Sequence, residues 1–432
     1  MQSQTVACIT AARMLCRSRN AGDAMRSGFI RGLLVIAVVI SCRPVMAADN
    51  WVAAWGTAQQ LLKPERVIPS AQVPPPKVER QTVRMVARSA IAGSQLRVSL
   101  SNSFGYGSVR IDAAQVARAA DNGAILPGSA RPLTFGGRAW VVLPPGARIS
   151  SDPVPFDVRA QADLSVSLYV EGDSGPTTSH PIGLRGAWLA PGNQVATEKL
   201  SDATLFRSYL WLEGIDVMAT ARTAAIIAFG DSITDGFSTT PDADTPWPSI
   251  LARRLGAQRG AAPRSVINMG ISGNRVLREG AGSSGLARFD RDVLSRPGAR
   301  WVLMLLGIND IGFSAIPGLP ASEKATAEDI IAGYQMLIAR ARLHGLSIIG
   351  ATLTPFEGVN TYTPASEQMR QQVNQWIRGS KQFDAVVDFD LATRDAGHPT
   401  RLRPEFDSGD HIHPNDAGNR AMAEAVDLKL FR

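Results

Sequence analysis

The chain has 432 residues, 45% of them hydrophobic and 19% charged, enough for two full cores. Of its formal charge of +7, +5 sits in residues 1–47: these hold Arg13, Arg17, Arg19, Arg26, Arg31 and Arg43 against one acid, Asp23. Removing six of 45 basic and one of 38 acidic residues leaves +2. That balance excludes function built on nucleic acid or on an anionic membrane surface.

Residues 1–47 read as a leader. Met25-Arg26-Ser27-Gly28-Phe29-Ile30-Arg31 is a positive n-region, residues 32–41 are an apolar h-region, and Val45-Met46-Ala47 is an A-x-A-like cleavage site, with Met25 a better start than Met1. The apolar run is too short to span a bilayer comfortably, so no membrane span is expected. Val39-Ile40-Ser41-Cys42 resembles a bacterial lipoprotein box and offers a lipid anchor at Cys42 as the alternative. Cys8, Cys16 and Cys42 all lie in this leader, so the mature chain is expected to have no disulfide, no cysteine zinc site and no thiol nucleophile. Its expected location is the periplasm or the exterior.

From Trp51 to about Gly192 the apolar pattern has period two. Val83, Met85 and Ala87 alternate with Arg84, Val86 and Arg88; Leu96, Val98 and Leu100 with Arg97, Ser99 and Ser101; Leu164, Val166, Leu168 and Val170 with Ser165, Ser167 and Tyr169. Turn signals such as Asp121-Asn122-Gly123 and Pro144-Pro145-Gly146 separate these runs, and Pro74-Pro75-Pro76 marks an irregular arm. Short alternating strands of this kind predict an antiparallel β-sandwich, assigned to residues 48–215.

From about Ala219 strands alternate with helices, which predicts βαβ units and a parallel sheet over residues 216–432. The strand-like runs are 224–229, 265–268, 301–306, 346–353 and 385–389. The helical stretches are 247–258, 286–294, 326–344 and 365–380, with a last one over 414–430. In 326–344, Ile330, Ile331, Tyr334, Leu337, Ile338 and Ala341 recur at helical spacing and His344-Gly345 supplies a stop. The expected architecture is α/β, a flavodoxin-like three-layer unit with five strands in the order 2-1-3-4-5.

The run 224–229 is apolar throughout, as in a strand buried on both faces, and it ends in Gly230-Asp231-Ser232. A serine at the carboxyl end of such a strand opens into the crevice where open α/β sheets bind ligands. Three further pieces fall at strand ends or before the last helix: Asn268-Met269-Gly270-Ile271-Ser272-Gly273-Asn274, Gly307-Ile308-Asn309-Asp310 and Asp410-His411-Ile412-His413-Pro414. These blocks, in this order, resemble the SGNH, or GDSL, hydrolase superfamily. The stretch from about Val217 to Phe431, including Trp247-Pro248, is similar to secreted bacterial acylhydrolases and arylesterases linked with xylan degradation.

The resemblance implies Ser232 as nucleophile, His413 as its base, Asp410 as the group orienting the imidazole, and an oxyanion hole from Ser232 N–H, Gly273 N–H and the Asn309 side-chain amide. The chemistry agrees, because a serine hydroxyl needs an adjacent base and a carboxylate fixes the tautomer of that base. Each residue has a structural alternative: Ser232 as a helix N-cap, Gly273 as a turn glycine, Asn309 as a loop cap. His411 rivals His413, and Asp407 rivals Asp410; His413 is preferred because it fits D-x-x-H and precedes Pro414. Asp231 and Asp310 are expected to orient loops rather than react.

The pair His411 and His413 with Asp410 admits a metal reading, but no second ligand cluster accompanies it, so no metal or cofactor is expected. Gly280-Ala281-Gly282-Ser283-Ser284-Gly285 matches G-x-G-x-x-G without directly following a strand, which deprives it of dinucleotide-binding context. Exposed aromatics such as Tyr106 or Trp188 could form a sugar platform or pack in the core. The expected activity is a serine esterase acting on short acyl esters, an acetylated polysaccharide foremost. A broad arylesterase or lipase is the alternative, and a decayed carbohydrate-binding protein a further one.

Overall fold

The computed structural model describes residues 50–60, 76–175 and 177–432; the leader, Cys42 and most of the proline arm lie outside them. Asp49–Arg432 form one compact unit. Among the described residues no helix is long and apolar enough to cross a membrane.

Two large antiparallel sheets, with two small two-stranded ones (Ser179–His180 with Tyr209–Leu210, and Val109–Ile111 with Val141–Leu143), make up the described residues of the first part. One runs in the order Trp51–Gly56, Leu212–Met218, Gly93–Ser101, Arg148–Ser150, with Val154–Val158 also paired to Gly93–Ser101. The other runs Thr204–Phe206, Ala187–Pro191, Gln81–Arg88, Asp163–Val170, Ala113–Arg118, Arg131–Pro132. Val83, Met85, Leu164 and Val166 of the second sheet share one buried apolar core with Leu96, Val98, Ile215 and Val217 of the first. This is the expected sandwich, but its strands continue past Gly192 to Met218.

The alternation marked by Arg84, Ser165 and Ser167 does not leave those residues in water, since all are buried. The segment 193–198 covers that face. The Arg84 guanidinium bonds the Ser167 hydroxyl at 2.8 Å and the carbonyls of Gly123 at 3.0 Å, Gln194 at 3.1 Å and Thr197 at 2.8 Å. A charge without a carboxylate is kept in the interior by satisfying every fork of its planar head. Trp188 packs tightly against Gly123 and Gly186, where added Cβ atoms would lie 2.6 and 2.5 Å from its ring. Its role is packing; Tyr106 is 74% exposed.

The second part is a parallel sheet with β1 (Ala224–Gly230) at its centre, β2 (Arg264–Gly270) on one side, and β3 (Ala299–Leu305), β4 (Ser347–Ala351) and β5 (Ala385–Val387) on the other. The order is 2-1-3-4-5, as expected. Every residue of β1 is buried, which is why its sequence carries no alternation. Trp51–Gly56 of the sandwich abuts β2: the Ser265 hydroxyl donates to the Ala53 carbonyl at 2.6 Å, and Gly56 faces Met269 and Ile267.

Helix boundaries follow their capping residues. Helix α5 (Ala327–Leu343) starts from a Thr326–Asp329 capping box and buries Ile330, Tyr334, Leu337, Ile338 and Ala341. Helix α6 (Pro364–Gly379) starts from a Thr363–Ser366 box with Pro364 in its first turn. Helix α2 spans Trp247–Gly256, and the short α7 spans Phe389–Thr393. Two expected helices differ. The stretch 286–294 divides into α3 (Gly285–Phe289) and a π-helical segment, Asp290–Leu294. The last helix, α8, covers only Asp416–Ala425, because Asn415 rather than Pro414 caps it and β-branched Val426 is extended; a separate turn of 3₁₀ helix, Leu428–Phe431, follows.

Candidate active site

Strand β1 delivers Gly230-Asp231-Ser232 to the carboxyl edge of the sheet. The chain turns there into α1 (Ser232–Asp235), a single turn whose N-cap is Asp231, with Asp231 Oδ1 accepting from Ile233 N at 3.0 Å. Ser232 is the first helical residue, not the cap. It is 5% exposed. A Cβ at Gly270 would collide with the backbone of Asp235, so glycine at the end of β2 lets α1 sit down on the sheet.

The loop 407–415 brings the imidazole to this serine. His413 Nε2 lies 2.8 Å from Ser232 Oγ, and His413 Nδ1 lies 2.6 Å from Asp410 Oδ2. Asp410 Oδ1 also accepts from the N–H groups of His413 at 2.9 Å and Ile412 at 3.2 Å. Burial alone would raise its pKa, but the hydrogen bond from His413, its charge and these N–H groups hold the carboxyl well below the usual range. The Phe237 ring stands 4.5 Å from the His413 ring and covers one side of it. Helix α8 fixes the loop: Asp416 accepts from Thr240 N at 3.0 Å, Thr240 Oγ1 at 2.7 Å and Thr245 Oγ1 at 2.6 Å.

The rival histidine is turned elsewhere. His411, in the left-handed region at φ 66°, puts Nδ1 2.6 Å from Asp407 Oδ2 and packs against Gly358. Each imidazole thus has its own carboxylate. Among the described residues no group of three or more histidine, cysteine or acidic side chains could hold a metal ion.

The loop after β2 approaches from the other side. Gly273 sits at φ 78°, where a side chain would be strained. Among the described residues, neither Ser232 N–H nor Gly273 N–H has a backbone acceptor. Asn309, in the first turn of α4 (Ile308–Ser314), donates from Nδ2 to the Asn274 carbonyl at 3.0 Å, leaving its second N–H for a ligand. Asp310 is buried and its carboxylate accepts from Val276 N at 2.7 Å and Leu277 N at 3.1 Å, tying α4 to the Gly273 loop. The glycine-rich stretch 280–285 borders the same loop, because Asn274 Nδ2 donates to the carbonyls of Ala281 and Ser283.

Burial raises two of these carboxyls: Asp310 to about 6 and Asp231 to about 7 from an ordinary 3.8. Asp231 Oδ2 is buried with no hydrogen-bond partner among the described residues, which favours the neutral acid. A carboxyl raised in the folded state stabilises the fold while protonated. The unfolded chain ionises first, so stability falls as pH rises from about 4 through about 7 and levels off above. Each pH unit in that window costs up to about 1.4 kcal/mol per group. In urea titrations at pH 5 and pH 8, Asp231→Asn should lose roughly 2 kcal/mol less than the wild type between the two pH values. Equal losses would show that Asp231 is ionised throughout.

Two features had no sequence signal. Arg288, on α3, is fully buried and spans the ends of β1 and β2, bonding the carbonyls of Gly230 at 2.7 Å and Met269 at 2.8 Å. It also reaches Asn274 Oδ1 at 2.9 Å and Asp292 Oδ2 at 3.1 Å. His180, from the antiparallel part, reaches Asp235 on α1 at 3.0 Å.

Residues 228–421 match the model of the GDSL-like Lipase/Acylhydrolase family. No curated protein matches the chain. Solved structures that it resembles include an acetylxylan esterase from Geobacillus stearothermophilus (25% identity, 48% of this chain and 93% of that one, TM-score 0.37). Another is the M. smegmatis aryl esterase (19% identity, 47% and 95%, TM-score 0.36). A third is an acetyl xylan esterase, AlAXEase (20% identity, 46% and 96%, TM-score 0.36). The blocks assembled around one serine all fall within residues 228–421, the part of the chain that matches the GDSL-like lipase/acylhydrolase family, and the protein is a carboxylic ester hydrolase.

Proposed function

We propose that Ser232 is the nucleophile of this hydrolase, His413 its general base and acid, and Asp410 the carboxylate that holds the imidazole. The observation that carries the reading is the unbroken chain Ser232 Oγ, His413 Nε2, His413 Nδ1, Asp410 Oδ2, with contacts of 2.8 and 2.6 Å. As Ser232 Oγ attacks the ester carbonyl carbon, its proton passes to His413 Nε2 and the carbonyl pair moves onto oxygen. The N–H groups of Ser232 and Gly273 and the free amide proton of Asn309 receive that oxyanion. Collapse expels the alkoxide, which takes the proton from His413. Water then attacks the acyl-serine by the same route, releasing the acid and restoring the serine.

The substrate we propose is a short acyl ester, acetyl in particular, carried by a polysaccharide. Support comes from the resemblance of residues 217–431 to acylhydrolases linked with xylan degradation. A polysaccharide is met outside the cytoplasm, and export is what residues 25–47 are read to direct. The test is a panel of p-nitrophenyl esters of rising chain length beside acetylated xylan. We expect kcat/KM to be highest for acetyl, to fall about tenfold or more by octanoyl, and acetate to be released from the glycan. A maximum at long acyl chains, with no release from acetylated glycan, would replace this substrate by that of a lipase.

A further inference from the structure

We propose that His180, in the antiparallel part of the chain, is a positioning residue for the oxyanion loop, acting as a buried imidazolium that holds Asp235 and, through it, Ser272 next to Gly273. The proposal rests on the roles of Ser232 and Gly273 given above.

His180 Nδ1 lies 2.8 Å from the Ala58 carbonyl; His180 Nε2 lies 3.0 Å from Asp235 Oδ1 and 3.1 Å from the Ile182 carbonyl. All three are acceptors. A neutral imidazole has one nitrogen with a lone pair, and that lone pair would face an oxygen lone pair in the interior. Protonation of both nitrogens removes the conflict. The side chains of His180 and Asp235 are 5% and 4% exposed, so water cannot substitute for either partner. Burial alone would discharge the ring, but the Asp235 charge and the three hydrogen bonds outweigh it and raise the pKa. Among the described residues Asp235 is the one charged group at bonding distance; the Tyr209 ring, 6.4 Å away, sends its hydroxyl to the Val86 carbonyl instead.

Asp235 passes the constraint on. Its Oδ2 accepts from Ser272 N at 3.1 Å and from Ser272 Oγ at 2.8 Å. Both bonded groups belong to the residue immediately before Gly273, so the carboxylate anchors the loop that presents Gly273 N–H. Asp235 also ends the single helical turn that Ser232 begins. One carboxylate therefore joins the nucleophile turn to the oxyanion loop, and its countercharge comes from His180, 55 positions earlier. The antiparallel part is, on this account, a component of the hydrolytic machinery and not an appended module.

Two measurements test this. The first is steady-state kinetics of His180→Gln, Asp235→Asn, their double variant and Ser272→Ala on p-nitrophenyl acetate, normalised to the sites titrated by a serine-directed phosphonate. A glutamine amide in place of the ring donates a hydrogen bond without charge. We expect kcat per titrated site about 10- to 50-fold lower in His180→Gln, KM within about twofold, and the double variant no worse than Asp235→Asn. The second is the ¹⁵N spectrum of the wild-type ring near pH 7.5, which should show both nitrogens protonated. Unchanged kcat per titrated site, even with lowered stability, would overturn the proposal, and so would a neutral ring. Ser232→Ala is measured alongside: retained turnover there would sink the nucleophile assignment, while the ring spectrum still decides the ion pair.

Discussion

Replacing Ser232 by alanine should lower kcat by on the order of 10⁵-fold or more while leaving the urea midpoint nearly unchanged. The side chain is small, and its hydroxyl bonds to a group, His413 Nε2, that can turn to water in its absence. Ser232 is not the cap of α1; that task belongs to Asp231, which the variant keeps. The loss therefore reports chemistry and not folding. His413→Ala should cost a similar amount, and adding it to Ser232→Ala should change almost nothing, since residues that act as one unit do not contribute additively. Turnover per mole within about tenfold of wild type in Ser232→Ala would remove the serine from the reaction.

The largest loss of stability is expected at Arg288. Its guanidinium lies wholly inside, 4.1 Å above the Phe229 ring, and bonds two carbonyls, one amide oxygen and one carboxylate. Desolvation pushes its pKa down to about 10, which still leaves it charged at neutral pH. Asp292 is shared with Arg291 at 2.7 Å and Arg296 at 3.8 Å, and Arg296 continues to Glu213 at 3.1 Å, which Arg148 reaches at 2.6 Å from the antiparallel part. Arg288→Ala strips one cation from this network and leaves the Gly230 and Met269 carbonyls bare. Breaking a buried pair costs about 3–5 kcal/mol, and the remaining arginines around Asp292 argue for the lower end. Arg288→Lys should recover little, because one ammonium cannot meet four separate acceptors held for a planar fork. A shift in urea midpoint worth under about 1 kcal/mol at unchanged m-value would contradict this account.

Much of the site was legible because its residues sit in short blocks at strand ends. Ser232 follows a wholly apolar strand, Asn309 lies four residues past the end of β3, and Asp410 and His413 are three positions apart on one loop, so a few short blocks carry the whole set. The parallel sheet followed from the alternation of strands and helices, and the long helix over 326–344 from the spacing of Ile330, Tyr334, Leu337, Ile338 and Ala341. Arg288, His180 and Asp235 left no such trace. Most of their partners are main-chain carbonyls and side chains 14 to 122 positions away, and a carbonyl has no residue type by which to recognise it. Arg84 misled for a related reason: period two assigns faces, but only the path of segment 193–198 decides that the second face is covered. At the far end, the helical stretch expected to 430 stops at Ala425 because Val426 turns extended, a local choice that apolar spacing does not register.

In this mechanism one serine hydroxyl, made nucleophilic by one imidazole, forms a covalent acyl intermediate. Intact-mass and peptide analysis after quenching the enzyme in the burst phase with p-nitrophenyl acetate tests it most directly. A single acetyl group is expected on Ser232, absent from Ser232→Ala and accumulating far more slowly in His413→Ala. An acetyl group on another residue, or full turnover with no covalent adduct and no inhibition by a serine-directed phosphonate, would contradict it.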